Sequence, residues 1–178
     1  MNTLIVCNKE YARSFRKALT ERDFENVWET ILHYGKQFYY EKYKPHITSI
    51  LQQIIPYTGL ELILFEPAEV PIYIVDMDGP SFSDPLTLKV RPNIEYMLTV
   101  LIHELIHVNF PSHLIKRDFL YEEIINQVTL KICGNLNIYS GTETIHHYRK
   151  IKQQEGYIYD DLPLEQCTVS TLFNLKIH

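Results

Sequence analysis

The stretch LTLKVRPNIEYMLTVLIHELIHVNF, residues 86–110, joins a β-strand pattern directly to a helix pattern. Apolar and polar residues alternate over Leu86–Arg91, as they do in a strand with one buried face. Pro92 ends that pattern, and Asn93 is placed to cap a helix that runs to about Asn109. The sequence therefore predicts a strand followed at once by a strongly apolar helix.

The end of this predicted helix carries His103 and His107, with Glu104 directly after the first histidine. Positions four residues apart lie on one helix face, so both imidazoles can bind one metal ion. Glu104 is rotated by about 100° from His103 and can therefore address a metal-bound water rather than the metal. The pattern predicts a metal centre with a glutamate base. The alternative is a buried helix whose two histidines bond to core carbonyls.

Two histidines do not complete a catalytic zinc site, which normally takes three protein ligands and a water. The next helix, predicted from about Asp118 to Cys133, carries Glu122 and Glu123 near its start. Relative to the apolar stripe of that helix, Glu122 lies at the margin and Glu123 points nearly opposite. We therefore prefer Glu122 as the third ligand and expect Glu123 to stabilise the helix dipole. Asn126, one turn beyond Glu122, is placed to orient a ligand.

His113 is the alternative third ligand, because it completes the spacing His-Glu-x-x-His-x-x-Phe-x-x-His. That spacing is similar to the metzincin signature, but Phe110 stands where metzincins have the glycine that lets the chain turn sharply. No methionine follows Met97, so the methionine turn of metzincins is also missing. We therefore interpret His113 as a loop histidine.

With these features the chain resembles the zincin metallopeptidases, and among them it is most similar to compact gluzincins. The resemblance covers roughly Leu60–Cys133. It rests on the pentapeptide His103–His107, which has the pattern HExxH, on the preceding edge-type strand and on Glu122-x-x-x-Asn126. Gluzincins usually have Glu-x-x-x-Asp, with aspartate at the position that Asn126 occupies in this chain. The resemblance implies that His103, His107 and Glu122 hold Zn²⁺.

The resemblance also implies a function, namely hydrolysis of peptide bonds by a zinc-activated water with Glu104 as general base and then acid. A peptide or protein substrate would pair with the exposed edge of Leu86–Arg91. A downstream side chain would stabilise the oxyanion, and the candidates by residue type are Tyr139, His146, His147, Tyr148 and Tyr157. Two other functions stay open: a zinc-binding zincin-like domain without proteolytic activity that acts in regulation or interaction, and a helical interaction module without metal.

The order of these patterns predicts a single α+β domain. A helical N-terminal region over 1–55 precedes a zincin-like core over 56–134 and a C-terminal extension over 135–178. The core would hold a small three-stranded or larger mixed sheet, packed against the HExxH helix and the helix that bears Glu122. Its strands are predicted at Leu60–Phe65, Val70–Val75 and Leu86–Arg91.

The N-terminal region is expected to form three helices, which run from Asn8 to Thr20, from Asp23 to Lys44 and from Pro45 to Ile55. They carry an aromatic stripe at helical spacing, which we interpret as core packing, formed by Tyr34, Phe38, Tyr39 and Tyr43. These helices are also a candidate cover for the active-site cleft, which would make the enzyme latent until they move.

Composition narrows the class of protein. The chain has 178 residues and a formal charge of −5, with 17 Lys+Arg against 22 Asp+Glu, which disfavours a nucleic-acid-binding protein. No apolar run approaches membrane-spanning length, so no membrane association is expected. Three widely spaced cysteines, Cys7, Cys133 and Cys167, predict neither a disulfide framework nor a zinc-binding cysteine pair. We therefore expect a cytoplasmic protein.

Overall fold

The computed structural model describes residues 3–58, 70–109 and 119–156 of the chain. The strands are β1 Thr3–Val6, β2 Val70–Val75, β3 Phe82–Ser83 and β4 Leu86–Lys89. The helices are α1 Lys9–Ser14, α2 Glu21–Phe38, α3 Lys44–Thr58, α4 Ile94–Val108, α5 Phe119–Asn135 and α6 Thr142–Gln154, with a π-helical turn at Tyr39–Tyr43 between α2 and α3. The α+β class and the mixed sheet are confirmed. The predicted strand Leu60–Phe65 lies outside the described residues.

The four strands form one sheet in the order β1-β2-β4-β3, in which β2 is parallel to both β1 and β4. Strand β1 lies in the region expected to be helical, so that expectation is wrong for residues 3–6. Thr3 is aligned with Val70 and Val6 with Tyr73. A strand of four residues becomes stable here because it pairs with a distant strand, and such pairing leaves no periodic signal in so short a segment.

The expectation that Leu86–Arg91 forms an exposed sheet edge is also wrong. Strand β3 pairs antiparallel with β4, which aligns Phe82 with Thr87. Beyond β3, the backbone N–H of Lys89 donates to Ser81 Oγ at 3.0 Å. The loop before β4 therefore folds back and covers the edge. Thr87 is fully buried, and its hydroxyl lies 3.0 Å from the Tyr11 hydroxyl, so β4 is buried on both faces.

The N-terminal helices begin and end differently from the prediction. Asn8 caps α1 as expected, since its side chain accepts the Tyr11 N–H at 2.8 Å, but the helix ends at Ser14. Thr20, rather than Asp23, caps α2 by accepting the Asp23 N–H at 3.2 Å. The π-helical turn then joins α2 directly to α3, so Pro45 lies inside a continuous helical run and does not begin a separate helix as predicted.

The aromatic stripe of this region packs into the core, as predicted. Phe38 and Tyr43 are buried, and Tyr34 and Tyr39 pack against the same buried cluster. The Tyr43 hydroxyl also donates to the Thr3 carbonyl at 2.6 Å, which ties the π-helical turn to β1. The helical region and the sheet therefore share one hydrophobic core.

Helix α4 lies at the centre of the described structure. Asn93 caps it as predicted, accepting the Tyr96 N–H at 3.0 Å. The helix contacts α2, β4 and α5, and α5 in turn contacts α3 and α6. None of the helices in the described ranges is both long enough and apolar enough to cross a membrane.

Candidate metal centre and cleft

Two helices bring three potential metal ligands to one point. His103 and His107 lie one turn apart in the second half of α4, and Glu122 lies in the first turn of α5. The two histidine Nε2 atoms are 2.9 Å apart, and Glu122 Oε2 lies 3.8 Å from His103 Nε2 and 3.5 Å from His107 Nε2. Within residues 3–58, 70–109 and 119–156, no other three His, Cys, Asp or Glu side chains converge in this way.

The separations of these three atoms suit a zinc ion. A point equidistant from atoms 2.9, 3.5 and 3.8 Å apart lies about 2.0 Å from each, and zinc binds histidine nitrogen at about 2.0–2.1 Å and carboxylate oxygen at about 2.0–2.2 Å. Both distances from Glu122 are longer than the usual hydrogen bond of about 2.9 Å. The donor set, two imidazoles and one carboxylate, is also one that catalytic zinc sites use.

Tyr121 fixes the ring of His107. Its hydroxyl lies 2.9 Å from His107 Nδ1, and both side chains are buried. When His107 Nδ1–H donates to the Tyr121 oxygen, the Nε2 lone pair points toward His103 and Glu122. This is how a hydrogen bond to one ring nitrogen selects the tautomer that binds a metal through the other. Tyr121 belongs to the apolar stripe of α5, and the spacing of that stripe carries no signal for this second role.

The first histidine is electrically neutral at pH 7. Burial, together with the neighbouring His107, lowers the pKa of His103 to about 4, although Glu122 acts in the opposite direction. A metal ligand must be deprotonated to bind. The environment of His103 therefore keeps its ring in the form that a metal requires.

Glu104 lies at the same end of a cleft as His103. It is 7% exposed, and its side chain and that of His103 both line a cavity of about 220 Å³. Asn126 lines the same cavity from α5 and is also nearly buried. The predicted base therefore faces a space that a small substrate group and a water can enter.

The walls of this cleft come from the loop before β4 and from the start of α6. Pro80 and Ser81 line one side, and Gly141, Thr144 and Ile145 line the other. The loop is held upstream because Arg16 pairs with Asp76 at 3.1 Å and with Asp78 at 2.6 Å. The segment predicted as a C-terminal extension thus contributes directly to the candidate site.

The start of α6 is fastened to the start of α4. Glu95 accepts the backbone N–H groups of Ser140 and Tyr139, both at 3.1 Å, and these two bonds lower the pKa of its carboxyl. The Thr99 hydroxyl donates to the Ser140 carbonyl at 2.6 Å. Gly141 follows with a φ of +94°, and a Cβ there would lie 2.9 Å from the Tyr96 ring. Glycine therefore permits both the backbone conformation and the close approach of the two helices.

Glu123 does not lie on an exposed face, so its predicted position is wrong. It is 4% exposed and pairs with Arg149 Nε of α6 at 2.8 Å. Gln127, one turn away, donates to the same Glu123 oxygen at 2.6 Å. The reason is that α5 is covered on more sides than its apolar stripe indicated, since α6 packs against the face that carries Glu123.

The other predicted site residues do not join the cluster. His113 and Tyr157 lie outside the described residues. The remaining oxyanion candidates are exposed and do not line the cleft: Tyr139, His146, His147 and Tyr148. Of the described residues, none from the N-terminal region 3–58 lines the cleft, so these helices do not cover it there.

The two cysteines among the described residues, Cys7 and Cys133, take no part in the candidate metal centre. Burial raises the pKa of Cys133 to about 11 and also raises the pKa of Cys7. Both are free thiols, and raised pKa values disfavour the thiolate form that binds metals. Cys167 lies outside the described residues.

Comparison of the chain with protein-family models, with curated proteins and with solved structures gave no significant match in any of the three cases. The candidate centre therefore stands on its own residues and geometry: two imidazoles and a carboxylate around one point, with a second carboxylate in the adjoining cleft.

Proposed function

We propose that this protein is a zinc-dependent peptidase, in which His103, His107 and Glu122 hold Zn²⁺ and Glu104 is the general base. The observation that carries the proposal is the convergence of three ligand atoms with spacings that suit zinc. The buried Glu104 beside them supports hydrolysis in particular, because a metal site that serves only structure needs no carboxylate in an adjoining cleft.

The roles of the residues follow from their positions. Bound zinc would lower the pKa of a coordinated water toward about 7 and polarise the scissile carbonyl. Glu104 would take the proton from that water and pass it to the leaving amine. Tyr121 would hold the His107 ring in place, and Asn126 would donate or accept hydrogen bonds within the cleft.

We further propose that a peptide or protein substrate lies in the cleft along α4. Addition of a substrate strand to β4 does not suit this fold, because β3 and Ser81 occupy that edge. Pro80 and Ile145 border the same space as His103 and Glu104. This space, rather than a sheet edge, would position the scissile bond.

The test compares the full-length protein with its Glu104→Gln variant, both purified without a histidine tag. Zinc content is measured by mass spectrometry of the metal, and cleavage is measured on a mixture of synthetic peptides. We expect equal zinc in both proteins and a loss of cleavage of about 10²–10⁴-fold in the variant, the usual contribution of a positioned acid–base group. Glu29→Gln, at an exposed position on α2, is the matched control and should behave as wild type.

Each part of the proposal can fail separately. A protein that binds no zinc would exclude the metal centre. Zinc binding without cleavage of any peptide would leave a zinc-binding domain that acts in regulation or interaction. Cleavage that persists in Glu104→Gln would contradict the role given to this carboxylate.

A further inference from the structure

The candidate cleft extends well beyond the metal centre. Its floor is one face of α4, formed by Tyr96, Thr99, Val100, His103 and Glu104. Tyr96 and His103 are seven positions apart, which corresponds to about 10 Å along a helix. An extended peptide rises by about 3.3 Å per residue, so the far end of the cleft lies about three peptide residues from the candidate catalytic end.

Arg91 occupies that far end. Among the described residues that line the cleft, it is the only lysine or arginine. Its guanidinium carbon lies 4.7 Å from the centre of the Tyr96 ring. Such a contact with the face of an aromatic ring attracts the cation and holds it in one place. The side chain is half-buried, so its charge is positioned in the cleft wall.

The contact with Tyr96 also decides which way Arg91 faces. The residue borders a second cavity, of about 240 Å³, that includes Asp76. Tyr96 lines only the first cleft, and the charged end of Arg91 lies over this ring. Asp76 pairs instead with Arg16 at 3.1 Å. Nowhere in the part of the chain that the structure describes does a carboxylate form an ion pair with Arg91.

We propose that Arg91, held by Tyr96, binds a carboxylate group of the substrate at a position two or three residues from the scissile bond. A guanidinium can form two parallel hydrogen bonds with one carboxylate, which gives both affinity and orientation. The carboxylate can belong to the C-terminus of a short peptide or to an aspartate or glutamate side chain. This inference rests on the proposed peptidase function, whose substrate class it would define.

The test uses matched pairs of peptides drawn from the mixture described above. In one pair the members differ only in a free or amidated C-terminus, and in the other only in aspartate or asparagine at the second or third residue from the cleaved bond. For wild type, we expect kcat/KM to be about tenfold or more higher for the carboxylate member of one pair, as is typical for a charged hydrogen bond. The pair that shows the preference identifies the source of the carboxylate.

In Arg91→Met the ratio within that pair should fall to about one, and Arg91→Lys should restore part of it because a lysine retains the charge but not the paired geometry. Arg22→Met is the matched control, since Arg22 is exposed on α2, and it should keep the wild-type ratio. Equal rates for both members in wild type, or an unchanged ratio in Arg91→Met, would overturn the inference while leaving the peptidase proposal intact.

Failure of the proposed function is a different result. If zinc is bound and no peptide is cleaved, the same pairs are tested for binding to zinc-loaded Glu104→Gln protein by calorimetry. Tighter binding of the carboxylate member, lost in the double variant with Arg91→Met, would support the binding site without the reaction. Equal binding of both members would overturn the site as well.

Discussion

Glu122 and Glu123 are neighbours in sequence, but they face two different surfaces of α5. Glu122 faces α4, 3.5 Å from His107, and its side chain is 39% exposed. Glu123 faces α6, 2.8 Å from Arg149, and its side chain is 5% exposed. A step of one residue turns a helix by about 100°, which is enough to separate them. An ion from solvent can reach the exposed carboxylate, whereas the buried one lies against a cation within the protein.

The largest expected effect is a loss of stability when the ion pair of Glu123 with Arg149 is broken. Arg149→Met should lower the free energy of unfolding by about 3–5 kcal/mol, because the Glu123 carboxylate, whose side chain is 5% exposed, loses the cation it pairs with. Urea unfolding of the metal-free protein measures this. The double variant Glu123→Leu with Arg149→Met should lose less than the sum of the single variants. Stability equal to wild type in Arg149→Met would contradict the pairing of the buried Glu123 carboxylate with Arg149.

The next largest expected effect is a loss of zinc affinity when the Glu122 carboxylate is removed. Glu122→Ala should weaken zinc binding at least about 100-fold. Removing a residue that only orients a ligand costs up to about 100-fold, and removing the ligand itself should cost no less. The stability of the metal-free protein should change little. Competition with a chromophoric chelator measures the affinity. Loss of zinc from Glu123→Ala that is still folded, or from His113→Ala but not from Glu122→Ala, would show that the third ligand is assigned wrongly.

A fall in pH should affect His103 in the candidate metal centre before it affects the ion pair of Glu123 with Arg149. The pKa of His103 is about 4 in the folded protein and 6.5 when unperturbed, so the unfolded chain takes up a proton first as the pH falls. This contribution to stability is complete above pH 6.5 and is lost progressively toward pH 4. By pH 5 the loss of stability amounts to at most about 2 kcal/mol.

Urea unfolding in the presence of a chelator, at pH 7.5 and pH 5, tests this dependence. Wild type should lose more stability between the two values than His103→Gln does. His147→Gln, at an exposed position on α6, should follow wild type. An identical loss in wild type and His103→Gln would mean that burial of this ring does not govern its protonation.

The smallest expected effect comes from Tyr121, which precedes the two glutamates. Tyr121→Phe keeps the buried ring and removes the hydroxyl that bonds to His107 Nδ1. Zinc affinity should fall about tenfold, at the lower end for loss of a residue that orients a ligand. Tyr40→Phe is the control, because Tyr40 is 66% exposed on the π-helical turn. Equal zinc affinity in all three proteins would remove Tyr121 from the site.

The parts of the molecule that local sequence determines were predictable. Asn93 caps α4 through a bond to a residue three positions away, and the spacing of His103 and His107 follows from helical geometry. The preference for Glu122 over Glu123 as the neighbour of these histidines came from rotation about one helix axis. Each of these inferences needs information from only one or two turns of chain.

The parts that depend on distant segments were not predictable. Strand β1 exists because it pairs with β2, and the edge of β4 is closed because β3 folds back on it. Glu123 is buried because α6 supplies Arg149. The spacing of apolar residues within one strand or helix gives no information about such a distant partner. The errors therefore fall where tertiary packing overrides a local pattern.

The closed edge of β4 has a consequence for selectivity. An open strand edge binds an added peptide through hydrogen bonds to the peptide backbone. Because the backbone is the same in every sequence, such binding discriminates little between peptides. With this edge already paired, the proposed peptidase would have to distinguish its targets by their side chains or termini. The short strand β3 keeps peptides of arbitrary sequence from pairing with the backbone of β4. For the proposed peptidase we therefore expect a narrow set of cleaved sequences, with most unstructured polypeptides left intact.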